Sequence, residues 1–377
     1  MVCQRPALSF SPRSNVRSPS AVLAMLALPL AAVSLHATAA ENGLQRYSPG
    51  VGGSDMTAPL SPGWYFQAPL VAYHAHKIKG NDGKAATSAT PVDAQGPIPA
   101  QPGLRSKVAI DADTYAILPR LTYLSARRVL GANVGFTAML PVVNRRANFT
   151  ATPNFAGTPY AGAAAGFAPS VTAGINGRID ATQDGDQTGL GDLEVSPLLH
   201  WEIGDHQAVT FAPTVVLPTG HYDVKRRVNT GFGNFYTFRP SVQYSFIGDG
   251  WDLGARAVFS FNTRNKDNGY YSGNMFNLDW QAMTFVSENW RMGLQGYFVR
   301  QLSRDTQDLS GFSATESQAL RKEIIAGNKS SVNAVGPAVG WLMNGGEMLV
   351  EGKFLREFSA RNRTEGQAFW LTVSKPL

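Results

Sequence analysis

The chain has 377 residues, of which 44% are hydrophobic and 16% are charged. This hydrophobic content is ordinary for a folded protein and excludes an intrinsically disordered chain. The formal net charge of +6 falls to +3 without residues 1–40, which hold three arginines and no acidic residue. A charge this small gives no reason to expect a nucleic-acid partner. No segment has the roughly 20 continuous apolar residues of a membrane-spanning helix.

The first 40 residues have the three parts of a secretory signal peptide. A basic region precedes an apolar stretch at 21–35 (AVLAMLALPLAAVSL), and small residues at 37–40 (ATAA) offer a cleavage site. The alternative is a membrane anchor, but the apolar stretch is too short for one. We therefore predict a signal peptide at 1–40. The only cysteine, Cys3, leaves with it, which excludes disulfides and thiolate catalysis in the mature protein.

The mature chain is predicted to be all-β, because apolar and polar residues alternate along it with a period of two. Residues 251–262 (WDLGARAVFSFN) are the clearest case, with only apolar side chains at the odd positions. A short periplasmic segment at 41–63 precedes about twelve such strands within 64–377. The strands are predicted near 64–77, 113–126, 131–144, 189–203, 207–219, 233–247, 251–264, 274–288, 290–303, 331–344, 347–360 and 366–377.

The connections between these strands alternate between tight turns and long loops. Together with an even number of strands long enough to cross a bilayer, this alternation is typical of a transmembrane antiparallel β-barrel with long extracellular loops. Strands of soluble sandwiches are shorter, at about five or six residues. The tight turns are predicted at 127–130, 204–206, 248–250, 288–289 and 345–346, and the long loops at 78–112, 145–188, 220–232 and 304–330.

Tryptophans support the barrel, since aromatic side chains form girdles at the membrane interfaces. Five of the seven come near the periplasmic rim when the strands run up and down from a periplasmic N-terminus. The alternative is that tryptophans accompany turns in a soluble β-protein. The five are Trp64, Trp201, Trp251, Trp290 and Trp341.

Charged residues on the polar faces of the strands are predicted to line the lumen. Their signs are mixed, which favours internal ion pairs over a strongly ion-selective pore. The predicted pore-lining residues are Arg120, Glu194, Arg239, Arg256, Asp279, Glu351 and Lys353.

Prolines inside the predicted strands need an explanation, because proline cannot donate a hydrogen bond to a sheet and a closed barrel has no edge strand. We expect β-bulges at these positions, which would help the sheet to curve. The prolines are Pro69, Pro119, Pro197, Pro213, Pro240 and Pro337.

The sequence contains no motif that indicates an enzyme. The chain has no phosphate-binding loop, dinucleotide-binding motif, serine-hydrolase motif or zinc-protease motif. His74 and His76 share one strand face, but two ligands make an incomplete metal site, and exposed histidines at a strand end are the favoured interpretation. We therefore predict no catalytic, metal or cofactor site.

Six stretches of the sequence resemble the family of outer-membrane proteins named for the MetA-pathway of phenol degradation. The resemblance covers essentially the whole mature chain and is most specific between 189 and 246. It implies a barrel that passes hydrophobic or aromatic compounds across the outer membrane, and it carries no defined site residues. The stretches are ENGLQRYSPG (41–50), the strand at Trp64, GLGDLEVSPLLHW (189–201), FAPTVVLPTGHYD (211–223), NTGFGNFYTFRPSVQYSF (229–246) and SKPL (374–377).

The expected function is passive uptake of small hydrophobic or aromatic solutes through the outer membrane of a Gram-negative cell, with outer-membrane lipid as the other partner. One alternative is a structural or adhesive barrel without transport, and another is a secreted β-sandwich that binds a ligand. We expect the loop at 145–188 to fold over or into the pore, so that deleting residues 155–170 raises solute flux. A short helix is expected at 316–325.

Overall fold

The computed structural model describes residues 45–57, 61–90, 103–156, 166–310 and 329–377. The predicted signal peptide and the predicted helix at 316–325 lie outside these residues. The elements are β1 (Gly63–Lys79), β2 (Thr87–Ala89), β3 (Arg105–Ile117), β4 (Arg120–Val129), β5 (Ala132–Met139), β6 (Val142–Asn154), α1 (Ala168–Thr182), β7 (Gly185–Leu190), β8 (Leu193–Ile203), β9 (Gln207–Leu217), β10 (Thr237–Gly248), β11 (Trp251–Asn262), β12 (Tyr270–Tyr271), β13 (Met275–Phe285), β14 (Trp290–Gln301), β15 (Thr306–Gln307), β16 (Ser331–Met343), β17 (Met348–Arg361) and β18 (Arg363–Pro376).

Twelve antiparallel strands close into a barrel, which confirms the predicted fold. Each strand pairs with its neighbours around the wall, and β18 pairs with β1, so that Leu371 lies opposite Leu70. The closed wall leaves no pair of stacked sheets, so the β-sandwich alternative is wrong. The barrel strands are β1, β4, β5, β8, β9, β10, β11, β13, β14, β16, β17 and β18.

The barrel is apolar outside and polar inside, the reverse of a soluble protein. Large apolar side chains such as Phe238, Leu294 and Phe369 are exposed on the wall, whereas Asp279 and Gln295 on its inner side are buried. Bulk water would penalise so much exposed apolar surface. The outer face therefore fits the hydrocarbon of a membrane, as expected of a transmembrane barrel.

Three barrel strands continue upward as a taller part of the wall. β3, β6 and β7 extend β4, β5 and β8 beyond short breaks in the strands, and β6 pairs with both β3 and β7. The predicted loops at 78–112 and 145–188 are therefore too long, because strands occupy parts of both. The apolar alternation is missing here because outward positions such as Asp111 and Arg146 stand above the membrane and are polar.

The periplasmic end carries the tight turns and the predicted tryptophans. Trp290 and Trp341 are paired across β14 and β16, and their rings stack with centroids 5.5 Å apart. The Trp201 indole N–H donates to the carbonyl of Leu130 in a neighbouring turn. The chain also ends here, where the Leu377 N–H donates to the carbonyl of Trp64. The predicted girdle of tryptophans is confirmed.

The expected bulges at the prolines are wrong. Pro213 lies opposite Pro240, and the register between β9 and β10 runs without a shift past both. Between β8 and β9 the pairs next to Pro197 are missing, but the register is the same on both sides. Losing N–H donors therefore interrupts the ladder locally without inserting a residue. Register shifts occur at other places, such as between Ala75 and Lys77.

The helix α1 covers the inner face of the tall part of the wall. Val171, Ile175 and Ile179 recur at helical spacing and are buried against apolar residues of the wall, including Ile110 and Phe149. The inner face of the tall part of the wall continues downward as the wall of the lumen. Part of the loop predicted to fold over or into the pore therefore lies at the extracellular mouth. None of the helices in the described ranges is long and apolar enough to span a membrane.

Replacing Ile175 by aspartate should detach α1 from the wall. Ile175 is fully buried, so the substitution would bury an unpaired carboxylate at a cost of about 3 kcal/mol or more. We expect trypsin to cleave at Arg178 within α1 while the barrel stays folded. Ala173→Asp, on the exposed side of the same helix, is the matched control. Equal resistance of the two variants would show that α1 is not held by this contact.

Candidate functional site

Residues 45–57, which belong to the segment predicted to be periplasmic, lie inside the barrel. Tyr47, Val51 and Met56 are buried there, and Tyr47 and Val51 pack against wall residues such as Leu355. We call residues 45–57 the plug. A barrel lumen is polar, so a segment that enters it must satisfy both its own polar groups and those of the wall.

Asp279 on β13 binds the plug at three points. The Tyr47 hydroxyl donates to its Oδ2 at 2.7 Å, and the N–H groups of Gly50 and Gly52 donate to Oδ1 at 3.1 Å and Oδ2 at 2.9 Å. The carboxylate is fully buried. Hydrogen bonds to a charged acceptor are among the stronger ones in proteins. One wall residue therefore fixes the middle of the plug.

Glycines let the plug follow the wall this closely. Gly50 has a φ of +83°, in the left-handed region that favours glycine. A Cβ on Gly53 would collide with the carboxylate of Glu351, so any side chain at this position would force Glu351 to move. The Gly-rich stretch SPGVGG therefore serves as a surface that fits the wall.

Asp55 bridges the lumen from the plug to two strands. Its Oδ2 lies 2.8 Å from the Arg256 guanidinium on β11 and 3.3 Å from the Arg120 guanidinium on β4. Burial alone would raise the pKa of Asp55, but the charges of Arg256 and Arg120 outweigh it, so the pKa lies below its ordinary value. The bridge is present above that ordinary value and is lost only as the pH falls through the lowered pKa.

Arg46 anchors the outer end of the plug. Its guanidinium lies 3.0 Å from Oδ2 of Asp192, donates to the carbonyl of Gly233 at 2.8 Å and stacks 3.9 Å above the Phe235 ring. Asp192 also accepts the N–H of Gly220 at 2.9 Å. Four of the stretches that carry the family resemblance therefore meet at this one place.

The other predicted lumenal residues also lie on the inner wall. Arg239 and Glu194 form an ion pair, and Arg239 donates to the Arg46 carbonyl at 2.8 Å. Lys353 donates to the Gly52 carbonyl at 2.6 Å, and its ammonium lies 3.7 Å from Glu351. All seven predicted residues thus contact the plug directly or through an ion pair with a residue that does.

A cavity of about 660 Å³ lies between the plug and the periplasmic rim. Tyr47 and Asp55 of the plug border it. Its lining includes Gln67, Thr122, Thr137, Thr210 and Gln243, together with the predicted residues Arg120, Glu194, Arg239 and Arg256.

Sequence reasoning missed the plug and its outer anchor. Arg46, Tyr47 and Asp55 precede the first strand, where no alternation marks them, and Asp192 sits in a break between two strands. The available signal was the coincidence of charged residues with the Gly-rich stretch at 49–53. Such a stretch forms no strand or helix, yet it is suited to close contact with another backbone or with charged side chains.

Comparison with known families decides the relationship. The model of the family described as MetA-pathway of phenol degradation matches residues 89–373, which is more than half of the chain. The chain belongs to this family. The match begins after β1, so the plug lies outside it.

One solved structure shares the architecture of this barrel, and two further ones are less similar. An outer membrane channel from Pseudomonas putida F1 is 11% identical to this family member, with a TM-score of 0.57, covering 88% of this chain and 100% of the channel. The β domain of the Bordetella autotransporter BrkA has a TM-score of 0.43 at 7% identity, over 84% and 100% of the two chains. A Pseudomonas aeruginosa FadL homologue has a TM-score of 0.35 at 9% identity, over 83% and 90%.

The structural likeness establishes the fold. At these identities only the architecture is shared. No curated protein matches the chain. A closed barrel with an apolar outer wall resembling outer-membrane proteins belongs in the outer membrane of a Gram-negative cell.

Proposed function

We propose that the protein is a passive channel for small aromatic or otherwise hydrophobic solutes, closed at rest by its own N-terminal plug. The observation that carries this proposal is the plug itself, a non-strand segment held in the lumen by hydrogen bonds, ion pairs and a few apolar contacts. A barrel with a purely structural role would not need a separate segment of the chain in its lumen. Transport would need no cofactor and no energy source.

The chemistry of the cavity supports aromatic solutes that carry a hydroxyl or carboxylate group. Arg120 and Arg256 border it with positive charge, Tyr47 and Tyr65 supply aromatic surface, and Thr210 supplies a hydroxyl. Guanidinium groups attract both anionic groups and aromatic rings. The family's link to phenol degradation supports the same class of solute.

Solute flux into proteoliposomes tests the proposed function. Benzoate is a suitable probe, because it is aromatic and its charge slows passage through bare lipid. We expect benzoate to enter proteoliposomes without any energy source, faster than it enters protein-free vesicles and faster still when residues 45–57 are deleted. Absence of flux with both proteins would leave the alternative of a structural or adhesive barrel and would overturn a transport role.

A further inference from the structure

Two histidines and two aspartates form a cluster on the outer face of the barrel, away from the lumen. His74 lies directly opposite Asp113 in the pairing of β1 with β3, and His76 and Asp111 come one step further along the same two strands. β1 runs from the periplasmic rim to the extracellular side, so the cluster lies near the outer end of the wall. Tyr115, which is exposed on the same face, lies on the membrane side of it.

The ligand atoms in this cluster converge. His74 Nε2 lies 3.0 Å from His76 Nδ1 and also contacts His76 Nε2. It lies 3.9 Å from Oδ1 of Asp111, and the same oxygen lies 3.3 Å from His76 Nδ1. Tetrahedral zinc, with Zn–N bonds of about 2.0–2.1 Å, places its ligand atoms about 3.3 Å apart. One nitrogen from each imidazole and one carboxylate oxygen thus already have nearly the spacing that the ion requires.

Asp113 adds the group that usually accompanies a metal-binding histidine. Its Oδ1 lies 2.5 Å from His74 Nδ1. A hydrogen bond at Nδ1 places the proton there, so that Nε2 carries the free electron pair and points at His76 and Asp111. Metal ligands are commonly oriented by a carboxylate in this way, which also raises their basicity. In the sheet, Asp111 lies opposite the neutral Asn148, whereas Asp113 lies opposite Arg146.

We propose that His74, His76 and Asp111 bind one Zn²⁺ ion, with water as the fourth ligand and Asp113 as the positioning residue. Imidazole and carboxylate together suit zinc better than calcium or magnesium, which prefer oxygen ligands alone. The ion would link β1 to β3 across the base of the tall part of the wall. Because the His76 and Asp111 side chains are 67% and 58% exposed, zinc can reach the site from outside the cell.

Zinc titration of the purified protein tests this site. The mature protein would carry an affinity tag without histidine, would be stripped with EDTA and would then compete with a chromophoric chelator for Zn²⁺. We expect one ion per chain in the wild type and loss of this binding in His76→Ala and Asp111→Asn. Asp113→Asn should bind Zn²⁺ at least about tenfold more weakly than the wild type. His206→Ala, which removes an exposed histidine from a periplasmic turn, is the control.

The outcomes separate a built site from adventitious binding. Heat-modifiability of each variant shows that its barrel is folded, and X-ray absorption at the zinc edge of the wild type should show two nitrogen ligands. Absence of stoichiometric zinc in the wild type, or wild-type binding in both His76→Ala and Asp111→Asn, would overturn the proposal. Wild-type affinity in Asp113→Asn would overturn the positioning role alone.

Discussion

Deleting residues 45–57 should raise the single-channel conductance of the barrel several-fold. The plug fills the side of the lumen formed by β10, β11, β13, β14 and β17, and Asp55 reaches across to Arg120 on the opposite wall. Without it, the existing cavity would extend upward through the middle of the barrel. A wider, water-filled path conducts more. Planar-bilayer recordings of the deleted and complete proteins would measure the change.

The deletion also leaves charged side chains of the wall without their partners. Thermal stability is therefore a second readout. Arg120 and Arg256 would lose Asp55, and Asp279 would lose the hydroxyl and two N–H groups that it binds. We expect the midpoint of heat unfolding to fall while the barrel still forms. A deletion of equal length within the loop predicted at 304–330 is a control for shortening the chain. Unchanged conductance in a folded, plug-deleted barrel would show that the plug does not limit the path.

Replacing Asp279 by alanine should release the middle of the plug without shortening the chain. Three buried donors, from Tyr47, Gly50 and Gly52, would lose their acceptor. Leaving buried donors unpaired costs about 1–3 kcal/mol each when water cannot replace the partner. We expect the substitution to shift the plug towards displaced states and to raise the open probability of the channel.

Labelling at one position of the plug can follow this release directly. Ser48→Cys would be the only cysteine of the mature protein if the predicted signal peptide is removed, and Ser48 is half-buried in the closed state. A water-soluble maleimide should react with it faster in Asp279→Ala than in the otherwise unchanged protein. Asp279→Asn, which retains one acceptor oxygen, should give an intermediate rate. Asp205→Asn in an exposed turn is the control, and equal rates in all variants would show that Asp279 does not hold the plug.

The barrel was predictable from the sequence because the membrane imposes a simple pattern. Each spanning strand needs apolar side chains on the face that contacts lipid. Residues such as Phe259 and Phe261 therefore identify the outer face of β11. The tight turns at the periplasmic end then follow from the gaps between these patterns. Above the membrane a strand needs no apolar outer face. The sequence pattern therefore assigns parts of β3 and β6 to loops.

The plug and the zinc-binding cluster could not be predicted by the same means. Arg46, Asp55 and Asp192 acquire their roles from partners that are distant in sequence, and no local pattern records which of them meet. His74 and His76 are recognisable as a pair, but the third ligand, Asp111, comes from another strand whose register is unknown without the fold. The charges of the lumen were predicted on the inner face, but their pairing with the plug was not.

The closing seam between β1 and β18 constrains the order in which the molecule can be assembled. The barrel cannot close until β18 (Arg363–Pro376) pairs with β1. Closure must therefore follow the export of β18. The plug immediately precedes β1, yet its partners Asp279 and Lys353 belong to strands that come before β18 in the chain. None of these contacts needs a finished cylinder. The plug can therefore settle on an open, curving sheet and be enclosed by the final strand, without threading through a completed pore.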